Sequence, residues 1–475
     1  MLQNRPPIIV ILGHVDHGKT TLLDYLRKSN LAAREAGGIT QTIRSFQLAM
    51  PAVASAKEGK LITFIDTPGH AAFAQMRSRG SKAADIALLI VAGNDGVMPQ
   101  TKEAYEAISK SGIPFIVVIT KSDLAESDPD RVKTQLTEIG IIVEDYGGTV
   151  PAVAVSGKTG QGISELLEMI DLMRELSPPQ ADPDGQLEAV VVESKLDSKK
   201  GPLAEVIVKN GTLSLGQLLF NSAPVGKVKA LLDFENTQIK TALPSVPVEI
   251  LGLTSVPPVG SVLSDKPVLN PQPSNVKTPT SIVNGQSSIN VILKADVLGS
   301  LEAITNQLDP KISVLSSTTG EVNDTDVLSA KSSNAIIVAF NLKIGASVQK
   351  LAEIEKVRVK SFGIIYELFD YLDLLVNPKE TEKILGKALI GAEFKIGPDR
   401  IAGCKVTEGL LQKSDTVRLV RGDKVIGQTK FKSLQTGKTL IDKVKVGQEF
   451  GATLSPYLDF KVGDIIIAFA TYGTP

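Results

Sequence analysis

A glycine-rich octapeptide near the amino terminus has the residue types and spacing of a phosphate-binding loop. It follows an apolar run at residues 8–12 and precedes the helix-forming stretch 21–26, which is the strand-to-helix context of the pattern GxxxxGK[ST]. There, backbone N–H groups and the helix N-terminus hold phosphate oxygens, the lysine reaches the β- and γ-phosphates, and the next hydroxyl can ligate Mg²⁺. The residues that we expect to bind phosphate are Gly13, His14, Val15, Asp16, His17, Gly18, Lys19 and Thr20.

A second segment places a carboxylate and a histidine at the end of another apolar strand. Residues 61–65 predict the strand, and it is followed by Asp66, Thr67, Pro68, Gly69 and His70. A carboxylate there can hold the Mg²⁺ shell, and a glycine lets the backbone approach the γ-phosphate. The three histidines of the chain, His14, His17 and His70, all lie in these two segments, which favours a role in the site over packing alone.

A third strand, predicted at residues 114–119, delivers a base-recognition segment to the same edge of the sheet. Asp123 can accept two hydrogen bonds, from the N1–H and the exocyclic amine of guanine, which adenine does not offer in that arrangement. Lys121 can pack its stem over the base, and the turn after strand 152–155 can close the other side of the ring. We therefore expect GTP as the ligand, with a guanine site formed by Thr120, Lys121, Asp123, Ser156, Gly157 and Lys158.

Length and composition indicate a multidomain protein without a membrane span. A chain of 475 residues is too long for one core, so three to four domains are expected. No apolar run reaches the roughly 18 residues that a spanning helix needs. One cysteine cannot form an internal disulfide, and the amino terminus lacks the features of a secretion signal, so we expect a cytoplasmic protein. The net charge of −1 argues against a general electrostatic grip on nucleic acid.

The pattern of strands and helices predicts a multidomain fold of α/β plus β class. Residues 1–176 alternate strand and helix signals, which is typical of a doubly wound α/β domain, here a P-loop GTPase domain. Residues 187–264 contain short β-branched runs broken by glycine and proline, which predict a β-barrel. The composition of residues 265–288 predicts a linker. The pattern of residues 289–376 predicts an α/β sandwich domain with an exit helix.

An internal repeat predicts a second barrel at the carboxyl end. The segment 208–213 has a near-copy at residues 406–411, and each is followed by a polar turn and further strand signals. We therefore expect residues 382–475 to form a β-barrel like the first one.

The order of these motifs resembles the translational GTPases. The octapeptide at 13–20, the segment 66–70 and the segments 37–40 and 95–101 are more similar to bacterial translation initiation factor two than to the elongation factors. The chain departs from the family at Thr120, where the family has asparagine, and at Gly157, where it has alanine. We therefore expect a short core form of the family, without its long amino-terminal region.

The resemblance implies roles for further residues and names partners. Thr20, Thr40 and Asp66 would hold Mg²⁺, and His70 would orient the attacking water behind an apolar pair formed by Val15 and Ile39. Hydrolysis of GTP would be stimulated by the ribosome. Both ribosomal subunits with their RNA, and initiator tRNA, are the implied partners of a monomeric protein.

In the family, the last barrel binds the aminoacyl end of initiator tRNA. Cys404, Glu449 and Gly451 match positions of that pocket, whereas Phe450 stands where the family has a second cysteine. Residues 435–437 replace a basic and aromatic stretch. The resemblance thus implies a tRNA site at Cys404, Glu449, Phe450 and Gly451, with weakened recognition of the formyl group.

Two other functions fit parts of the sequence. A carrier of other aminoacyl-tRNAs, similar to elongation factor Tu, is disfavoured by the α/β domain between the barrels. A GTP-binding ribosome partner without catalysis is disfavoured by the intact Lys19, Thr20, Asp66 and His70.

Overall fold

The structure, a computed structural model, describes residues 1–28, 39–49, 60–267, 289–377, 381–396, 399–422, 424–437 and 439–472. Gly37, Gly38 and residues 268–288 of the predicted linker lie outside the described residues. The chain divides into two compact units, Met1–Asp370 and Tyr371–Pro475. The predicted α/β plus β class is confirmed by the elements of both units.

The amino-terminal domain is a six-stranded sheet flanked by helices, with strand order β3-β4-β2-β5-β6-β7. All neighbours are parallel except β3 and β4. Its strands are β2 (Ile8–Gly13), β3 (Arg44–Ala49), β4 (Leu61–Asp66), β5 (Ile86–Ala92), β6 (Phe115–Thr120) and β7 (Ala152–Ala154). Its helices are α1 (Lys19–Arg27), α2 (Ala74–Ala83), α3 (Pro99–Ser111), α4 (Pro129–Glu138) and α5 (Ile163–Leu176), and a short pair, β1 (Gln3–Asn4) and β8 (Gln180–Ala181), lies beside it.

This sheet brings the carboxyl ends of its strands to one edge. Strands β2 and β5 are apolar along their whole length and fully buried, as expected for parallel strands covered on both faces. Ile11 pairs with Asp66, and Ala92 with Thr120. The segments that follow β2, β4 and β6 therefore emerge side by side, where ligands bind in open α/β sheets.

The second domain is an antiparallel barrel. Its strands are β9 (Glu188–Asp197), β10 (Gly201–Asn210), β11 (Leu213–Ser214), β12 (Leu218–Asn221), β13 (Ala223–Leu232), β14 (Gln238–Ile239), β15 (Thr241–Ala242), β16 (Pro247–Leu253) and β17 (Val262–Leu263). The main sheet runs β12-β13-β16-β10-β9-β17. Phe220 and Ser264 exchange backbone hydrogen bonds of 2.9 and 3.0 Å, which join its two ends around an apolar core.

The third domain has a four-stranded parallel sheet in the order β19-β18-β20-β21. Its elements are β18 (Ile289–Ala295), α6 (Leu298–Thr305), β19 (Ile312–Thr319), α7 (Asp324–Ser332), β20 (Ile336–Phe340), α8 (Ala346–Glu355) and β21 (Val359–Phe362). The next helix, α9 (Ile365–Val376), continues into the carboxyl-terminal unit.

The carboxyl-terminal unit is a closed antiparallel barrel. Its strands are β22 (Thr381–Ile396), β23 (Asp399–Gln412), β24 (Thr416–Arg421), β25 (Lys424–Thr436), β26 (Thr439–Leu440), β27 (Lys443–Lys445), β28 (Glu449–Ser455) and β29 (Ile465–Tyr472). The sheet runs β22-β29-β24-β25-β28-β23, and pairing of β22 with β23 closes it.

The internal repeat has a conformational cause. Gly211 and Gly409 occupy the same place in the two copies, with φ angles of 71° and 70°. A Cβ on Gly211 would lie 2.8 Å from Leu187 Cα, and one on Gly409 would lie 2.1 Å from Leu385 O. Both positions therefore require glycine, for its left-handed backbone and for the close approach of a neighbouring strand.

Among the described residues, no helix is long and apolar enough to cross a membrane.

Candidate active site

The phosphate loop joins β2 to α1 and is held tightly against β5. Gly13 lies so close to β5 that a Cβ would be 2.4 Å from Ile90 O. Gly18 caps the N-terminus of α1 with a φ of 81°, and Asp16 also has a positive φ, of 60°. The loop thus ends at the N-terminus of α1. There the free N–H groups of the first turn and the positive end of the helix dipole suit an anion.

Lys19 is buried at the centre of the site, with 6% of its surface exposed. Its ammonium donates to the carbonyls of Gly13, at 3.0 Å, and His14. Burial lowers the pKa of Lys19 to about 8, against the opposing effect of Asp66. A Cβ on Gly69 would lie only 2.6 Å from Lys19 Nζ, so the second motif is packed directly on the first.

The three predicted Mg²⁺ ligands converge beside Lys19. The hydroxyls of Thr20 and Thr40 lie 2.7 Å apart. Asp66 is 4% exposed at the end of β4, and its charge raises the pKa of Lys19. Two hydroxyls and a carboxylate are hard oxygen donors, so this set fits a Mg²⁺ ion that also binds phosphate oxygens.

The base-recognition residues form a second hydrogen-bonded group. Ser156 donates from its hydroxyl to Asp123 Oδ1 at 2.7 Å, and accepts from the backbone N–H groups of Lys158 and Thr159. Asp123 is thereby oriented while its other oxygen stays available. The ammonium nitrogen of Lys121 lies 3.3 Å from a carboxylate oxygen of Asp95.

The two departures from the family pattern have local explanations. Thr120 is 2% exposed and donates from its hydroxyl to the carbonyl of His17 at 2.6 Å, so it fastens the base segment to the phosphate loop. A Cβ on Gly157 would lie 3.0 Å from the backbone nitrogen of Leu22. The glycine therefore lets the base segment approach helix α1 more closely than alanine would allow.

One cleft gathers most of the predicted residues. Its volume is about 330 Å³, within the range of small-molecule sites. Its lining includes Val15, Asp16, Gly18, Lys19, Thr20, Ile39, Thr40, Gly69, Thr120, Lys121, Asp123, Gly157 and Lys158.

His70 lies at the side of this arrangement. Its Nδ1 accepts a hydrogen bond of 3.0 Å from the N–H of Ala72, so the residue caps the short 3₁₀ helix Ala71–Phe73. Its ring meets the ring of Tyr366 edge-on, with centroids 4.4 Å apart. Burial, with a smaller effect of Arg77, lowers the pKa of His70. The part of the cleft lining that the structure describes does not include His70.

The other two histidines brace the phosphate loop. His17 is 1% exposed, and its Nδ1 accepts from the N–H of Ala92 at 3.2 Å. Burial lowers the pKa of His17 to about 4, so it is neutral near pH 7. His14 packs edge-on against it at 4.9 Å, and burial lowers its pKa as well.

Three residues around the site carry contacts that the sequence pattern did not predict. Gln100 accepts from the N–H of Val15 at 3.0 Å. Arg77 donates to backbone carbonyls of residues 68–70. Gln41 bonds to Gly363 and Ile365. Gln100 belongs to the segment 95–101 on which the family resemblance rests, so the sequence did point to this residue. The contacts of Arg77 and Gln41 follow no spacing pattern in the sequence.

The four residues predicted to contact tRNA are not gathered on one surface. Cys404 and Phe450 pair across β23 and β28 and point into the barrel core, with exposures of 3% and 4%. Burial raises the pKa of Cys404 to about 12, so its thiol stays protonated. Glu449 and Gly451 alternate with Phe450 and belong to the outer face, where Gly451 pairs with Gly403.

Family models match three parts of the chain. Residues 4–175 match the elongation factor Tu GTP binding domain, residues 186–266 match elongation factor G domain 2, and residues 272–373 match translation-initiation factor 2. The first domain is therefore a guanine-nucleotide-binding GTPase domain of the translational type.

A similar solved structure is that of GDP-bound aIF5B from Aeropyrum pernix. It is 24% identical with a TM-score of 0.50, and the match covers 98% of this chain and 92% of that one. This likeness supports the fold.

Whole-chain relatives carry the name translation initiation factor IF-2. The protein from Carboxydothermus hydrogenoformans is 40% identical over 98% of this chain, which spans 60% of that relative's length. The protein from Thermus thermophilus is 39% identical over 100% of this chain and 88% of its own length. The chain spans only 50% of the length of two other relatives with this name. With this identity over nearly all of the Thermus thermophilus protein, the resemblance seen in the motifs is confirmed, and the chain belongs to the translation initiation factor IF-2 family.

Proposed function

We propose that this chain is a GTP-hydrolysing translation initiation factor that binds initiator tRNA and promotes joining of the ribosomal subunits. The observation that carries the proposal is the single cleft in which Lys19, Thr40 and Asp123 meet. The cleft offers a cation for the phosphates and a carboxylate for the base. We also propose that the protein acts as a monomer in the cytoplasm.

Phosphate binding rests on the loop backbone and Lys19. The ammonium that bonds to the loop carbonyls would turn to the β- and γ-phosphates, which replace those carbonyls as acceptors. Thr20, Thr40 and Asp66 would hold Mg²⁺, which when bound neutralises charge on the phosphate oxygens. Thr40 would gain this contact only with a γ-phosphate nearby, so residues 39–41 would report whether GTP or GDP is bound.

Hydrolysis requires a water molecule to attack the γ-phosphorus. The bond to the bridging oxygen of GDP breaks, and the proton of the water passes to the released phosphate. Val15 and Ile39 line the cleft, and their apolar side chains would screen the water from bulk solvent. His70 would orient it.

The position of His70 gives a reason for slow turnover without the ribosome. Its Nδ1 accepts from Ala72, so in the neutral ring Nε2 carries the proton. This tautomer can donate to an oxygen but cannot orient the attacking water by accepting a hydrogen bond from it at Nε2. His70 also packs on Tyr366. Activation therefore requires the ring to leave both partners, a movement that ribosome binding would drive.

Binding of the tRNA aminoacyl end would use the outer face of the last barrel. Gly403 and Gly451 are neighbours there, and Gln435 pairs with Gly451 on the next strand. Phe394 is 54% exposed beside Gly403. These two glycines, with the ring of Phe394 and the amide of Gln435, form a shallow surface beside the exposed pair Lys405 and Glu449. Discrimination of a formyl group needs buried donors that the wrong ligand leaves unpaired, so we expect a preference below about tenfold.

The decisive experiment measures GTP hydrolysis by the whole chain with and without ribosomes, and its binding to three tRNAs. We expect phosphate release to be stimulated by ribosomes, and initiator tRNA to bind in preference to a charged elongator tRNA. Formylated and unformylated initiator tRNA are titrated side by side. Equal binding of elongator tRNA would instead indicate a general carrier, and nucleotide binding without stimulated phosphate release would indicate a non-catalytic partner.

A further inference from the structure

Arg77 is a buried cation that holds the backbone of the segment between Asp66 and His70. It lies on α2 and is 1% exposed. Its Nη1 donates to the carbonyls of three successive residues, Pro68 at 3.3 Å, Gly69 at 3.0 Å and His70 at 2.6 Å. Its Nη2 lies 2.6 Å from Glu103 Oε2 on α3.

These contacts fix the direction of the peptide groups. A trans peptide unit directs its C=O and its N–H to opposite sides, and the bonds in this segment are trans. Because the carbonyl of Pro68 faces Arg77, the N–H of Gly69 is directed away from Arg77. Gly69 itself lies against the phosphate loop, since a Cβ on it would be 2.9 Å from the Val15 nitrogen and 2.6 Å from Lys19 Nζ.

We propose that Arg77 is a positioning residue for the γ-phosphate: by holding the carbonyls of residues 68–70 it presents the Gly69 N–H to GTP and so favours GTP over GDP. This inference rests on the proposed function, because it concerns the same nucleotide site. An arginine suits the task because its planar fork donates in several fixed directions at once, which a lysine ammonium does not reproduce. Glu103 compensates the buried charge, which would otherwise be costly.

The test compares two ligands on the whole chain carrying Arg77→Lys, which keeps the positive charge. The probes are GDP and a non-hydrolysable GTP analogue. We expect affinity for the analogue to fall about tenfold or more, and affinity for GDP to stay within about twofold, because only the analogue has the γ-phosphate that Gly69 meets. GDP binding also reports that the variant is folded. An equal loss for both ligands, or no loss for either, would overturn the proposal.

A second variant keeps the test decisive if Arg77→Lys does not fold. Glu103 has 44% of its side chain exposed, so Glu103→Gln leaves the helix packing intact, keeps an acceptor oxygen and removes the negative charge that pairs with Arg77. We expect a loss of about threefold for the analogue alone, and an unselective result would count against the proposal. Glu106→Gln on the same helix is the matched control, since Glu106 contacts exposed Lys110. Failure of the unmodified chain to bind either nucleotide would instead refute the proposed function.

Discussion

We expect Asp123 to determine the base specificity of the proposed site, where Ser156 donates to it in a 2.7 Å hydrogen bond. Asp123→Asn replaces a charged acceptor by an amide that mixes donor and acceptor. We expect GTP binding to weaken by about 2 to 5 kcal/mol and xanthosine triphosphate binding to improve. Equilibrium titration with the two nucleotides measures this, with Glu126→Gln as a control for removing a nearby charge. Unchanged GTP affinity in Asp123→Asn would remove Asp123 from base recognition.

His70 is expected to act in turnover and to contribute little to affinity. It caps the 3₁₀ helix at residue 71, packs on Tyr366 and does not belong to the described lining of the cleft. His70→Ala should therefore leave GTP affinity nearly unchanged and reduce ribosome-stimulated hydrolysis by at least about tenfold. Single-turnover phosphate release on ribosomes checks this. Normal hydrolysis by the variant would show that another group orients the water.

At the scale of elements, Glu193 joins three parts of the amino-terminal unit. It lies on β9 and is 5% exposed. Its Oε1 accepts from the N–H of Gly299 in α6 at 3.2 Å, and a Cβ on Gly299 would also touch Met76 of α2. The first barrel, the α/β domain and the helix that follows His70 therefore meet at one carboxyl group.

This junction should weaken as the pH rises. Burial raises the pKa of Glu193 to about 8, so the folded chain keeps a proton that the unfolded chain loses above its ordinary value of about 4.5. The stability contributed by Glu193 is complete below about pH 4.5, decreases as the pH rises from there to about 8, and is then lost in full, by at most about 5 kcal/mol. Glu193→Gln should remove this dependence, so the variant's unfolding temperature should rise relative to the parent between pH 6 and 9. If the unfolding temperatures of Glu193→Gln and the parent changed in parallel with pH, as we expect for the control Glu188→Gln, the prediction would be wrong.

The elements that carry the motifs were predictable because their signals are local. Strands β2, β4 and β6 are continuous apolar runs, each ended by the residues that enter the cleft. The bounds shift slightly: the strand predicted at residues 114–119 is observed at Phe115–Thr120, because Thr120 still pairs with Ala92 of β5.

Other features depend on contacts that no local pattern encodes. Arg77 was unassigned in the sequence because its partners are set by the packing of α2 against α3. The aminoacyl pocket was predicted by matching positions one by one, whereas the alternation of β28 directs Phe450 into the core and Gly451 outward.

At the scale of the molecule, the start of α9 is tied to both segments expected to sense the γ-phosphate. Gln41, next to Thr40, donates from its amide to Gly363 O at 2.8 Å and accepts from the N–H of Ile365 at 3.0 Å. His70 packs on Tyr366, one residue further along. The nucleotide site is thereby linked to a helix more than three hundred residues away in sequence, which extends to Val376.

The last prediction tests this link by hydrogen exchange. When Thr40 is held beside Thr20 by GTP, Gln41 should protect the backbone at residues 363–370; with GDP, release of residues 39–41 should expose it. Gln41→Ala removes both hydrogen bonds, so exchange there should become about tenfold faster with the GTP analogue and nearly the same for the two nucleotides. Gln47→Ala is the matched control, because the Gln47 amide donates to the hydroxyl of Thr63 on the neighbouring strand. If Gln41→Ala kept the parent's difference between GTP analogue and GDP at residues 363–370, the signal would have to pass through His70 and Tyr366 alone.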